Sequence, residues 1–310
     1  MSAPSGLGRA RSWLYVPAHR PELVAKAFAG GADAVVLDLE DAVPAAAKVA
    51  ARDAAVAACV APRQRPLWVR VNGLDTEWAE ADLAALAGAG AGTGPGPDGV
   101  RLPKVADPAR VAAVAGRLGR PLHLQLENAR GIEEAFELAR CHPLVGMVSL
   151  GEADLAADLR VRDPAGLAWA RSRVVVANRA AGLPSPMASV WTDLTDPEGL
   201  ARDCASARDA GFHGRSVIHP AQLEPVHRAF TPSRSEIDTA QALVDSVRTA
   251  AAAGHSAYLD ERGRFVDPAV VEGARWVLDL ARSLPADTDL PDTSRQVPDR
   301  VEARSGKEYR

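Results

Sequence analysis

The residues best equipped for chemistry are carboxylates that close short apolar runs. Glu127 ends LHLQLE (122–127), and Asp154 follows GMVSLGE (146–152), one strand-plus-helix unit further on. Two hard oxygen donors from adjacent strands suit Mg²⁺, with Mn²⁺ as a possible substitute. Such an ion takes one or two protein carboxylates and completes its shell with water or substrate oxygens. The competing reading pairs Glu127 with Lys104 and leaves Asp154 capping a helix over 154–159. No His/Cys cluster offers a softer metal site, and H-E-x-x-H is absent.

Arg70 stands in WVRV (68–71), where a buried guanidinium is costly unless paired. Its planar fork matches a substrate carboxylate, or an internal partner in Asp38 or Glu40. The DLED run (38–41) puts Asp38 and Glu40 on one side by the two-residue strand period, where they can hold metal-bound water, orient Arg70 or cap the next helix. Lys104 and Asn72 also end strand-like runs and join Arg70 as candidate substrate-binding groups. His19 and His219 follow strand-like runs too, but no G-x-S-x-G elbow supports a Ser-His-Asp triad. Cys59, Cys141 and Cys204 form no C-x-x-C pair and read as ordinary thiols of a reducing cytoplasm.

These residues need a scaffold that converges strand ends on one face. Eight short apolar runs supply it: 13–17, 34–40, 67–72, 99–105, 122–128, 146–152, 187–191 and 214–220, of which 187–191 (MASVW) is the weakest. Helical segments alternate with them at 21–29, 44–60, 77–87, 107–117, 131–140, 164–181 and 197–210. Several open on Asp-Pro, which places a capping oxygen and a preset φ at the helix entrance. Eight such units predict an α/β fold, a (β/α)8 TIM barrel with a C-terminal helical extension, in preference to an open doubly wound sheet. The expected organisation is a catalytic barrel over 11–230, an extension over 231–282 with a hairpin-like patch at 257–267, and a disordered tail over 283–310. Residues 88–98 are Gly/Pro-rich and match no phosphate-binding loop.

Composition narrows the function. A content of 47% hydrophobic and 25% charged residues excludes a wholly disordered chain. A net charge of −4 argues against nucleic acid as a partner. The sequence shows no secretory signal and no membrane-spanning run, which predicts a cytoplasmic protein.

The segment RSWLYVPAHRPELVAKAFAGGADAVVLDLEDAVPAAAKVAAR (11–52) resembles the opening of the HpcH/HpaI aldolase / citrate lyase beta-subunit-like family. The resemblance continues through VRVN (69–72), LPKV (102–105), LQLENARGI (124–132), SLGEADLAADL (149–159), GRSVIHPAQLEPVHRAFTPS (214–233) and GRFVDP (263–268). It implies a TIM barrel, a divalent metal and homotrimers or multiples of three. The implied activity is metal-dependent lysis of a carbon–carbon bond in a 3-hydroxyacyl-coenzyme A ester such as malyl-, citramalyl- or citryl-CoA, giving a thioester and an oxo acid. By the same resemblance the metal falls on Glu127 and Asp154, and a substrate-binding, catalytic arginine on Arg70. Asp267 would reach a neighbouring subunit's active site and serve there as a base. The alternatives are a malyl-CoA-type thioesterase, a coenzyme-A-free aldolase acting on oxo acids, and a non-catalytic citrate-lyase-like subunit. The chain departs from many members at Ala18, where they have Gly, and at Asn128, where they have Thr.

Overall fold

The computed structural model describes residues 7–89, 95–252, 258–259, 265–266, 268–284, 288 and 290–291. Its eight long-range strands are β1 (Ser12–Pro17), β2 (Ala34–Asp38), β3 (Leu67–Arg70), β4 (Gly99–Leu102), β5 (Leu122–Leu126), β6 (Val145–Leu150), β7 (Met187–Ala188) and β8 (Gly214–Val217). All neighbours are parallel, in the order β6-β5-β4-β3-β2-β1-β8-β7. The result is a nearly closed (β/α)8 TIM barrel. Strands β2, β4, β5 and β6 are buried along their whole length, as expected where helices cover one face and the barrel core fills the other.

The short β7 explains why 187–191 reads weakly. It follows Pro184 and Pro186, which have no N–H for a ladder. Among the described residues no backbone ladder joins β6 to β7. Ser189 spans the seam instead: its Oγ donates to Leu150 O at 2.7 Å and accepts from Glu152 N at 3.0 Å.

The outer helices are α1 (Pro21–Ala29), α2 (Lys48–Val60), α3 (Ala79–Gly88), α4 (Pro108–Leu118), α5 (Ala129–Glu133), α6 (Ala135–Arg140), α7 (Glu152–Leu159), α8 (Ala168–Ala180), α9 (Pro197–Asp209) and α10 (Leu223–Phe230). The Asp-Pro entrances behave as capping chemistry requires. Asp107 accepts from Ala109 N and Arg110 N, Asp163 from Ala165 N, and Asp196 from Gly199 N. The single helix expected over 131–140 is two, broken at Glu134. The one expected over 164–181 opens as a 3₁₀ turn, Pro164–Leu167, before α8 begins.

Inside the barrel, inward side chains stack in layers. Trp13, Ala34, Trp68, Met147 and Met187 form the lower apolar layer. Trp13 and Trp68 pack with ring centroids 5.1 Å apart. Gly99 makes room for this: a Cβ there would lie 2.2 Å from the Trp68 ring. The polar groups gather at the C-terminal strand ends, the face on which barrel active sites are built.

The chain divides into two compact units between Phe230 and Thr231. The second contains α11 (Arg234–Ala252), the antiparallel pair β9 (Tyr258–Leu259) and β10 (Phe265–Val266), and α12 (Pro268–Ser283). Helices α11 and α12 pack through Ala240, Ala274 and Leu278. No helix among the described residues is long and apolar enough to cross a membrane.

Candidate active site

Asp38 and Arg70 are the last residues of β2 and β3, and the strand register sets them side by side. Arg70 Nε and Nη2 meet the two Asp38 oxygens at 2.6 and 2.7 Å, and Nη1 reaches Glu40 at 3.0 Å and Asp41 at 3.2 Å. The guanidinium lies 4.8 Å from the Tyr15 ring centroid. The fork that the sequence offered to a substrate carboxylate is therefore committed to Asp38. Nη1 is the nitrogen turned toward Asp41, whose side chain is exposed. Burial pushes the Asp38 carboxyl up, but the Arg70 charge and hydrogen bonds, with the N–H groups of Glu40 and Ala42, together outweigh it and hold that carboxyl below its usual range. Glu40 goes the other way, because burial there outweighs both Arg70 and Lys104.

Lys104 follows β4 with a left-handed backbone, φ 55°. That conformation is costly for a side chain with a Cβ, and such strain is characteristic of functional sites. It turns the Lys104 N–H onto Glu127 Oε2 at 3.1 Å. Lys104 Nζ meets Glu40 at 2.6 Å and lies 3.7 Å from Glu127 Oε2 and 3.8 Å from Asp154 Oδ1. Burial would lower the Lys104 ammonium, but Glu40, Glu127 and Asp41 together raise it. Glu127 sits one residue beyond β5 and is buried. Burial, then the Glu40 and Asp154 charges, push its carboxyl up to about 8 against the pull of Lys104 and Arg70. Gly151 allows this placement, since a Cβ there would stand 2.2 Å from Glu127 Oε1. Asp154 lies in the first turn of α7 and is half exposed.

Behind the site runs a buried clamp. Lys48 Nζ donates to the carbonyls of Leu39 and Glu40, both at 2.7 Å, and to Asn72 Oδ1 at 2.6 Å. Asn72 Nδ2 donates to Asp82 Oδ2 at 2.6 Å, and Asp82 accepts from Arg52 Nε at 2.7 Å. The structure thus turns Asn72 away from substrate: its amide is consumed by this clamp, and it does not line the cavity.

That cavity, about 380 Å³, is lined by Asp38, Arg70, Glu127 and Asp154 and also by Tyr15, Gln125, Ser189 and Ser216, which the sequence reading did not single out. A signal for Gln125 exists, since it lies one strand period before Glu127. His219 takes its structural role, accepting from Ala221 N through Nδ1. Burial raises the thiols of Cys59 to about 12 and Cys141 to about 11, which leaves both protonated and inert. Asp267 lies outside the described residues.

The donor set suits a magnesium-sized ion. Glu127 and Asp154 come from two elements, each with an oxygen within 4 Å of Lys104 Nζ, and both line a cavity that admits water and substrate oxygens. The described residues contain no ready-made cage of three or more His, Cys, Asp or Glu, so an ion here would lean on those other oxygens.

This barrel recurs in known proteins. The family model described as HpcH/HpaI aldolase/citrate lyase matches residues 11–220. A (3S)-malyl-CoA thioesterase of Cereibacter sphaeroides is 36% identical over 282 residues, 89% of this chain and 96% of that protein. The citrate lyase subunit beta of Escherichia coli is 33% identical over 288 residues, 87% of this chain and 93% of that protein. The crystal structure of CitE from Mycobacterium tuberculosis in complex with magnesium, acetoacetate and coenzyme A is similar with a TM-score of 0.74 at 33% identity, covering 88% of this chain and 98% of that one. The chain belongs to the HpcH/HpaI aldolase/citrate lyase family.

Proposed function

We propose that this protein is a magnesium-dependent carbon–carbon lyase acting on a 3-hydroxyacyl-coenzyme A ester, releasing acetyl-CoA or a related thioester and an oxo acid. The observation that carries the reading is the convergence of Glu127 and Asp154 beside Arg70 in one cavity at the barrel mouth. Neighbours crystallised with magnesium and oxaloacetate, or with magnesium, acetoacetate and coenzyme A, support the choice of metal and ligands.

Glu127 and Asp154 would hold the ion, which when bound polarises substrate oxygens as a Lewis acid. Arg70 is fixed by Asp38 and stacked on Tyr15, so Nη1 would stabilise negative charge in the place where it now meets the exposed Asp41 side chain. Lys104, tethered by Glu40, adds a second positive group at the mouth and a substrate contact. In cleavage the 3-hydroxyl proton is lost to a base, the C2–C3 bond breaks to an oxo acid and a thioester enolate, and the enolate carbon is reprotonated. Asp267 of a neighbouring subunit is the proposed acid for that last step, and the base in reverse. This role requires an oligomer, a homotrimer or a multiple of three, which light scattering tests.

The relatives named (3S)-malyl-CoA thioesterase favour a second outcome, in which the thioester is hydrolysed. A magnesium-dependent assay on malyl-, citramalyl- and citryl-CoA separates the two. Acetyl-CoA with an oxo acid is expected. Free coenzyme A with the hydroxy acid intact would establish the thioesterase. No product from any of them would overturn the coenzyme A reading.

A further inference from the structure

Within the barrel, one layer below Glu127, lies a guanidinium that fold stability does not account for. Arg101 on β4 is 1% exposed and forms no ion pair among the described residues, and its Nε has no hydrogen-bond partner. Its charge rests on the Trp13 and Tyr15 rings, 5.1 and 5.0 Å away, and on three neutral groups. A buried charge without a counter-charge is expensive, and an apolar side chain would pack there at less cost.

Arginine only donates, so it fixes the polarity of everything bonded to it. The Tyr15 hydroxyl oxygen accepts from Arg101 Nη1 at 2.5 Å, and its own proton goes to Gln125 Oε1 at 3.0 Å. With that carbonyl taken, Gln125 Nε2 has no protein partner among the described residues, and Gln125 lines the cavity. Ser216 Oγ accepts from Nη1 at 3.1 Å, which frees its own proton to donate, and Ser216 lines the cavity too. The remaining branch stays internal: His123 Nδ1 accepts from Nη2 at 3.0 Å, and His123 Nε2–H donates to Ser149 Oγ. Two donors therefore line the cavity floor, with one uncompensated positive charge behind them, and Gln125 lies about 7 Å deeper along β5 than Glu127.

We infer that Gln125 Nε2 and the Ser216 hydroxyl bind a second carboxylate of the substrate's acid part, with Arg101 as the positioning residue that orients both donors and supplies the counter-charge. The inference rests on the proposed lyase reading and deepens it. The metal end and Arg70 serve one carboxylate, and the floor selects a dicarboxylic oxo acid over a monocarboxylic one.

Calorimetric titration of the magnesium-loaded full chain with oxaloacetate and with pyruvate tests this, because the two acids differ by one carboxylate. Wild type is expected to bind oxaloacetate at least roughly tenfold tighter, the scale of a hydrogen bond to a charged group. Gln125→Glu keeps an acceptor for Tyr15, removes the donor and adds a negative charge close to Arg101. It should abolish that preference by lowering oxaloacetate affinity far more than pyruvate affinity, with the fold retained by circular dichroism. Ser216→Ala should reduce the preference less. Arg101→Met should erase the ratio and Arg101→Lys restore part of it, which a general weakening of the fold would not do. Equal affinity for both acids in wild type, an undiminished preference in Gln125→Glu, or an equal loss for both acids would overturn the inference. Binding of neither acid by wild type with Mg²⁺ would overturn the lyase reading and the inference with it.

Discussion

Glu127 is the residue on which the metal assignment turns. Its carboxyl is raised to about 8 by burial and by Glu40 and Asp154, and a ligand carboxylate must be ionised. Mg²⁺ affinity is therefore expected to rise with pH up to about 8 and to fall below it, with up to one proton released per ion bound, measurable by calorimetry in two buffers of different ionisation enthalpy. Glu127→Gln keeps the shape and the acceptor for Lys104 N but removes the charge. It should abolish magnesium-dependent turnover and the magnesium-induced rise in melting temperature, while the metal-free protein melts no lower than wild type. Retained turnover in that variant would move the metal elsewhere. At this scale the sequence was legible where a charge interrupts an apolar run at its end, as at Asp38, Arg70 and Glu127. It was less so where the polar group sits inside the run. Arg101, His123 and Gln125 are inward residues of strands whose other face is apolar, so their polarity blends into the run, and only barrel closure, which brings Tyr15 of β1 and Ser216 of β8 across to β4 and β5, makes them a network. Asn72 misled for the opposite reason. It ends the apolar run 67–72, two residues beyond the strand that Arg70 ends, but its partner Lys48 comes from α2, which strand-end logic does not consult.

Two elements set the geometry of the mouth without touching substrate. The turn after β2 is pinned by Lys48 through the carbonyls of Leu39 and Glu40. Lys48→Met leaves Leu39 O and Asn72 Oδ1 unpaired, while Glu40 O keeps Val43 N, which should lower stability by about 2 kcal/mol in urea unfolding. The turn after β6 carries Gly151 against Glu127. Gly151→Ala forces the carboxylate to move, and turnover should fall roughly ten- to a hundredfold with the fold retained, as a misplacement of about 1 Å does. Circular dichroism and kinetics on the same sample check both halves of that expectation. The alternation of apolar runs with Asp-Pro entrances made the barrel readable, because each unit carries its own start and stop signals. The breaks at Glu134 and before Ala168 were not readable, since propensity alone does not distinguish one helix from two short pieces.

The molecule as a whole should be sensitive to acid through a histidine remote from the substrate pocket. Burial lowers His213, next to β8, from its ordinary 6.5 to about 4. The unfolded chain takes up a proton near pH 6.5 and the folded one does not until about 4. Stability is thus fully present above pH 6.5 and is lost as pH falls toward 4, by about 3 kcal/mol. Urea midpoints between pH 7.5 and 4.5 should show this slope, and His213→Asn should flatten it by about one proton. A last consequence follows from the seam at Ser189. Elsewhere among the described residues the barrel wall is zipped by backbone ladders, but between β6 and β7 the Ser189 hydroxyl ties the β7 side to Leu150 and Glu152, and both border the cavity. The enclosure therefore has a built-in expansion joint beside the reacting groups. Breathing at that joint, and not the rigid remainder of the wall, should set how large an acyl branch the protein tolerates. Ser189→Ala should speed hydrogen exchange at the Glu152 amide and broaden the range of hydroxy acids accepted.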